Sequence, residues 1–178
     1  MVDPITMGAG VRQALELVKK LKSDAPTRFV PPSDGTRPIN EFILPFSMVR
    51  GTRGYIEKVV NQINGCYEKA WFDGCAVMMR RLIETLIIEC FEKHKIADKI
   101  KDSKTGDFLY LADLIDKVIQ EPGWNLGRNA KKALPKLKSI GDQSAHNRRY
   151  NAHREDIDKL STDFRNVCQE LLYLAGLK

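Results

Sequence analysis

The sequence predicts an all-α protein: an antiparallel helical bundle of four or five main helices, with an N-terminal helix and a Pro-rich arm ahead of it. Three observations predict this. From Tyr55 onward apolar residues recur at spacings of three and four, the mark of helices that bury one face. No segment alternates apolar and polar with the period of two expected of a half-buried strand. Five prolines between Pro26 and Pro45 set the helical region apart from what precedes it. At 178 residues, 43% hydrophobic and 29% charged, the chain is the size of one soluble domain, able to bury about 70% of its unfolded surface.

Val11, Ala14, Leu15, Val18 and Leu21 share a face, so residues 10–23 are expected to form a short amphipathic helix. Pro26, Pro31, Pro32, Pro38 and Pro45, with Gly35 among them, then rule out regular helix or central strand to about residue 50. The apolar residues of this arm (Phe29, Val30, Ile39, Phe42, Ile43, Leu44, Phe46) imply that it packs against something. The expected division is 1–53 for helix and arm and 54–178 for the bundle.

Within the bundle, Ile56, Val59, Val60, Ile63, Tyr67, Ala70 and Trp71 mark one face of a helix that ends at Phe72-Asp73-Gly74. Asp73 is placed to cap the next helix, Gly74 to about Lys93. That helix is apolar on nearly every side, as the buried centre of a bundle is. A loop with Ser103, Thr105 and Gly106 follows; Asp107 is placed to cap Phe108–Gln120, and Glu121-Pro122-Gly123 makes a turn. Arg128 to about His146 is helical, with Pro135 expected to break or kink it. Asn147 and Asn151 point to a loop over 147–154. In the last helix Ile157, Leu160, Phe164, Val167, Leu171 and Leu174 alternate threes and fours. Glu155 and Asp156 suit its N-terminus, and Gly176 follows its end.

Several function classes find no support. No apolar run approaches the roughly 20 residues that span a bilayer, and no basic stretch followed by an apolar core suggests secretion. Cys66, Cys75, Cys90 and Cys168 show no CxxC pairing and read as core thiols, so a reducing, cytoplasmic setting is expected. Phosphate-loop, dinucleotide, zinc-protease and nucleophile-elbow motifs are missing. His146 and His153, seven apart with no nearby cysteine, make a weak zinc pattern; neither metal nor cofactor is expected.

The charge is concentrated. From Arg128 to Arg154 there are eight Lys or Arg and one acid, Asp142, a net +7 in a chain whose total is +6. A balanced protein with one strongly basic segment points to a polyanionic partner. Arg148, Arg149, Arg154, Lys138 and Lys136 are the candidate contacts. Asp142 and His146, four apart, share a helix face, where a carboxylate and an imidazole could do acid–base work on a phosphodiester. The plainer reading is that Asp142 orients His146 as a satisfied pair. Arg80 and Glu84, four apart in the apolar central helix, are expected to form an ion pair, since charges are rarely buried alone. Tyr150 and Trp124 are candidate base-stacking residues, but one aromatic beside charges does not establish an RNA site.

Gly74-Cys-Ala-Val-Met-Met-Arg-Arg-Leu-Ile-Glu84 followed by Lys138-Ser-Ile-Gly-Asp-Gln-Ser-Ala-His146 resembles the HEPN superfamily. The nearest branch is one of unknown function with an Arg-Arg-Leu-x-Glu helix and a Gly-Asn/Asp-x-x-Ala-His signature. The likeness spans Tyr55 to Leu177 and leaves the arm outside. It implies an antiparallel bundle that dimerises. Active members are metal-independent RNases in which an Arg, a polar residue and a His from two protomers meet at the dimer interface. His146 matches the His and Asp142 the polar residue, while the Arg position falls on Gly141. Arg148 and His153 have the spacing of that motif but lie beyond its aligned place.

Three readings follow. The first is a non-catalytic HEPN-like module, a homodimer binding RNA or an acidic partner through a basic cleft, in the manner of relatives found near defence systems. The second is a metal-independent endoribonuclease with His146 as general base and Arg148, Arg149 or Arg80 replacing the missing clamp. The third is an assembly or regulatory domain whose 29–46 arm binds a protein partner.

Overall fold

In the computed structural model the chain divides into two compact units, Met1–Gly35 and Thr36–Lys178. The structure describes residues 43–178 and, outside them, Glu16 alone. The expected helix over 10–23 and most of the Pro-rich arm lie outside the described residues.

Residues 43–178 form an all-helical bundle. Its α-helices are α1 (Gly54–Glu68), α2 (Phe72–Lys93), α3 (Leu111–Gln120), α4 (Arg128–His146) and α5 (Arg154–Leu174). Among the described residues there is no strand, only an isolated antiparallel bridge between Lys101 and Phe108. The central α2 packs against all four of the others. Cys75, Met79, Leu82, Ile83, Leu86, Ile87, Cys90 and Phe91 are fully buried along it, in line with its near-continuous apolar surface. A linker of only three residues returns the chain from α1 to α2, which forces the two helices antiparallel.

The end of the arm belongs to this core. Ile43, Leu44, Phe46 and Val49 are buried, and a short 3-10 turn spans Phe46–Met48. The fully buried Asn64 of α1 clamps the segment. Its carboxamide oxygen accepts from the Ile43 and Leu44 N–H groups, both at 3.2 Å, and its amide donates to the Leu44 carbonyl at 2.8 Å. Backbone groups that could not otherwise be paired in an apolar setting are satisfied by one side chain. Ile43, Leu44, Phe46 and Val49 thus share the bundle's core, ahead of the expected boundary at 53/54.

Element edges depart from expectation where loop contacts outcompete local signals. The helix expected from Phe108 begins at Leu111, because Phe108 is held against Lys101 and Leu109 N–H donates to the Ile100 carbonyl at 2.9 Å. Asp107 does not cap it; the Asp107 carbonyl accepts from Asp102 N–H at 2.8 Å. Asp73 does not precede α2 as its cap but lies in its first turn. Pro135 does not break α4, which runs through it as one helix. The proline is exposed, so the one helical hydrogen bond it removes faces water, while Leu134 and Leu137 beside it stay fully buried. The last helix starts at Arg154, one residue before the expected Glu155. Asp156 there accepts from the His153 N–H at 2.9 Å, and Gly176 beyond its end takes φ +62°.

Candidate functional site

Residues 74–84 and 138–146 meet where α2 packs against α4. The Arg80 guanidinium of α2 donates through Nε to the Asp142 carboxylate of α4 at 2.7 Å and through Nη1 to Glu84 at 3.3 Å. Lys138, one turn before Asp142, forms a second ion pair with the same carboxylate. Burial alone pushes the Asp142 carboxyl up, but hydrogen bonds and charge from Lys138 and Arg80 outweigh it and hold the group below its ordinary value. The expected Arg80–Glu84 pair is present as one edge of this four-residue network.

Close helix approach makes the network possible. A Cβ built on Gly141 would lie 2.5 Å from the Arg80 Cβ and 3.1 Å from the Ala76 carbonyl oxygen, inside van der Waals contact. Position 141 therefore has no room for an arginine. The guanidinium nearest to it, Arg80, is already shared between two carboxylates.

Asp142 and His146 are not a hydrogen-bonded pair. Asp142 is bound to Arg80 and Lys138, and His146 stands exposed at the last turn of α4. Among the described residues no hydrogen bond or ion pair involves the His146 ring. The two share a helix side, as the spacing requires, but the stronger cationic partners capture the carboxylate. Lys138, expected as a nucleic-acid contact, is instead half-buried against Asp142. A shallow groove of about 350 Å³ between α3 and α4 opens on that pair, lined also by Ile115, Asp116 and Pro135.

After His146 the chain leaves helical geometry. Residues 147–153 instead fold back onto the start of α2. Ala152 is buried, and its N–H donates to Asp73 Oδ1 at 2.9 Å. Tyr150 leans on the core, and its hydroxyl donates to Asp156 at 3.4 Å. Arg148 and Arg149 are exposed, and among the described residues neither side chain has an ion pair or hydrogen bond.

Arg154, the first residue of α5, lies over two rings. Its guanidinium carbon is 4.9 Å from the Tyr67 centroid and 5.4 Å from that of Phe72, and Nη1 donates to the Tyr67 hydroxyl at 3.0 Å. Tyr67 in turn hydrogen-bonds Asp158. The two aromatic candidates are committed elsewhere. Trp124 packs edge-on against Phe91, with centroids 4.6 Å apart, and Tyr150 is tied down as above. The exposed indole is Trp71, 62% accessible although the pattern put it on a buried face. α1 ends at Glu68, and Ala70 takes φ +57°, so the 3.6-residue period that would have buried Trp71 stops three residues short of it.

The cysteines are free; Cys75, Cys90 and Cys168 are buried and Cys66 half-buried. Burial pushes the Cys75 and Cys90 thiols up to about 12, so at neutral pH they behave as small hydrophobes. Among the described residues no cluster of His, Cys, Asp and Glu is arranged to hold a metal, and no helix is long and apolar enough to cross a membrane.

The chain matches no protein-family model, no curated protein and no solved structure.

Proposed function

We propose that this chain is a HEPN-like helical module that binds RNA as a homodimer without cutting it, through the basic edge formed by His146, Arg148, Arg149 and Arg154. The observation that carries the reading is the split in the basic segment. Its family-matched half, Lys138 and Asp142 with Arg80 and Glu84, is an internally neutralised network. Its other half presents Arg148 and Arg149 to solvent with no carboxylate partner among the described residues. A phosphodiester-cleaving site would need a guanidinium free to meet the phosphate. Arg80 is spent on Asp142 and Glu84, and Gly141 supplies none; the guanidiniums of Arg148 and Arg149 stand in the loop beyond α4 and not on the helix that carries Asp142 and His146.

The test is fluorescence anisotropy with labelled RNA across a salt series. Two to three phosphate contacts predict a loss of about tenfold in affinity between 50 and 200 mM salt. The R148A/R149A double variant should bind several-fold more weakly still. Binding that ignores salt would overturn the reading. RNA cleavage in EDTA that H146A abolishes would replace it with the endoribonuclease reading, for which His146, exposed and unpaired, would be the base. A light-scattering mass of one chain would remove the dimer.

A further inference from the structure

We infer that Trp71 and Arg154 form a stacking seat for single-stranded RNA, at the corner where α1 turns into α2. The inference rests on the RNA-binding reading above and names the form of RNA and the residue that grips its bases.

The corner is built to hold an indole outward. Ala70 sits in left-handed backbone geometry, uncommon for a residue with a Cβ. Two hydrogen bonds lock it: Ala70 N–H to the Tyr67 carbonyl at 3.0 Å and Trp71 N–H to the Cys66 carbonyl at 2.8 Å. The result is a large aromatic surface given to water, on the residue type that gains most from burial. Lys69 Nζ lies over the indole ring, 5.9 Å from its centroid, a cation on one face of the platform.

The next residue anchors the phosphate side. The Phe72 ring meets Tyr67 edge-on at 5.8 Å, and Arg154 lies over both. A guanidinium carries five N–H donors in a rigid fork. Stacking and one bond to the Tyr67 hydroxyl hold this one in place while the residue remains exposed. The loop bearing Arg148 and Arg149 is tied to the same end of α2 by the Ala152–Asp73 hydrogen bond, two residues from Trp71. Among the carboxylates of this region, Asp73 and Asp156 accept from backbone N–H groups, Asp158 bonds Tyr67, and Glu155 faces Lys159 at 3.8 Å, while Glu68 stands exposed at the end of α1.

An exposed indole with cations near it matches a base and its phosphates. Bases in a duplex are stacked on one another, so the platform requires a single strand.

The test uses the full chain and a fluorescein-labelled 12-nucleotide oligouridylate at low salt. Trp71→Ala should weaken binding by roughly tenfold, the size of one base–aromatic stack, while Trp71→Phe keeps most of the affinity. In a Trp124→Phe background, where Trp71 is the sole tryptophan, the oligonucleotide should quench its emission. Equal affinity in Trp71→Ala, or preference for an RNA hairpin stem with Trp71 emission unchanged, would overturn the seat and leave RNA binding standing. No binding of either RNA by the wild-type chain would overturn both. Trp71 is exposed, so an unchanged thermal melt of Trp71→Ala is expected and keeps the comparison clean.

Discussion

The packing of Gly141 leaves no room for a side chain where α4 meets α2. With Arg80 Cβ 2.5 Å from where its own Cβ would be, even alanine must push α2 and α4 apart. Gly141→Ala is expected to destabilise by about 1–3 kcal/mol, the usual cost of overpacking, despite alanine's better helix propensity. A thermal melt checks it, and an unchanged or raised midpoint would show that the helices have slack. Asp142 is the second informative residue. Its folded-state pKa lies below the unfolded value, so its stabilising contribution is present above about pH 4 and is lost as pH falls through the lowered folded value. Asp142→Asn should cost up to about 1 kcal/mol at pH 7, since the ion pairs are partly open to solvent. It should also flatten the acid limb of the stability curve, read from denaturant midpoints between pH 6 and 3. Parallel curves for the two proteins would contradict this.

Among the elements, the join between the arm and α1 rests on Asn64. Truncating it to alanine leaves the Ile43 and Leu44 N–H groups and the Leu44 carbonyl buried without partners. Asn64→Ala should therefore lose about 3 kcal/mol, with faster hydrogen exchange at Ile43 and Leu44; protection equal to wild type would show another acceptor taking over. The same scale shows where sequence patterns hold and where they fail. The five helices were legible because each buries an apolar stripe with the period of its own backbone. Their ends were less so. Asp73 and Asp107 are good caps by type, yet Asp73 is drawn to the Ala152 N–H, and the backbone of the Asp107 loop closes on Asp102. Pro135 kept α4 whole because its missing donor faces solvent.

For the molecule as a whole, the basic segment looked continuous in sequence and is divided in space. The path of the chain after His146 decides this. Loss of helix there turns Arg148–His153 onto the start of α2, away from Asp142, and leaves the Arg80 network closed. Sequence by itself determined the all-helical class, the central place of α2, the loop after His146 and the Arg80–Glu84 pair, because these follow from local periodicity and four-residue spacing. Only the tertiary structure decided that Asp142 belongs to Arg80 and Lys138 and not to His146. It also decided that Gly141 is a point of helix contact, and that Trp71 and not Trp124 or Tyr150 faces solvent. Lys138, four residues before Asp142 on the same helix, is the part that spacing could have shown. The Arg80 contact, the packing of Gly141 and the exposure of Trp71 depend on what a distant segment brings to a half-buried charge or an open ring, a competition in three dimensions that spacing along one helix does not encode.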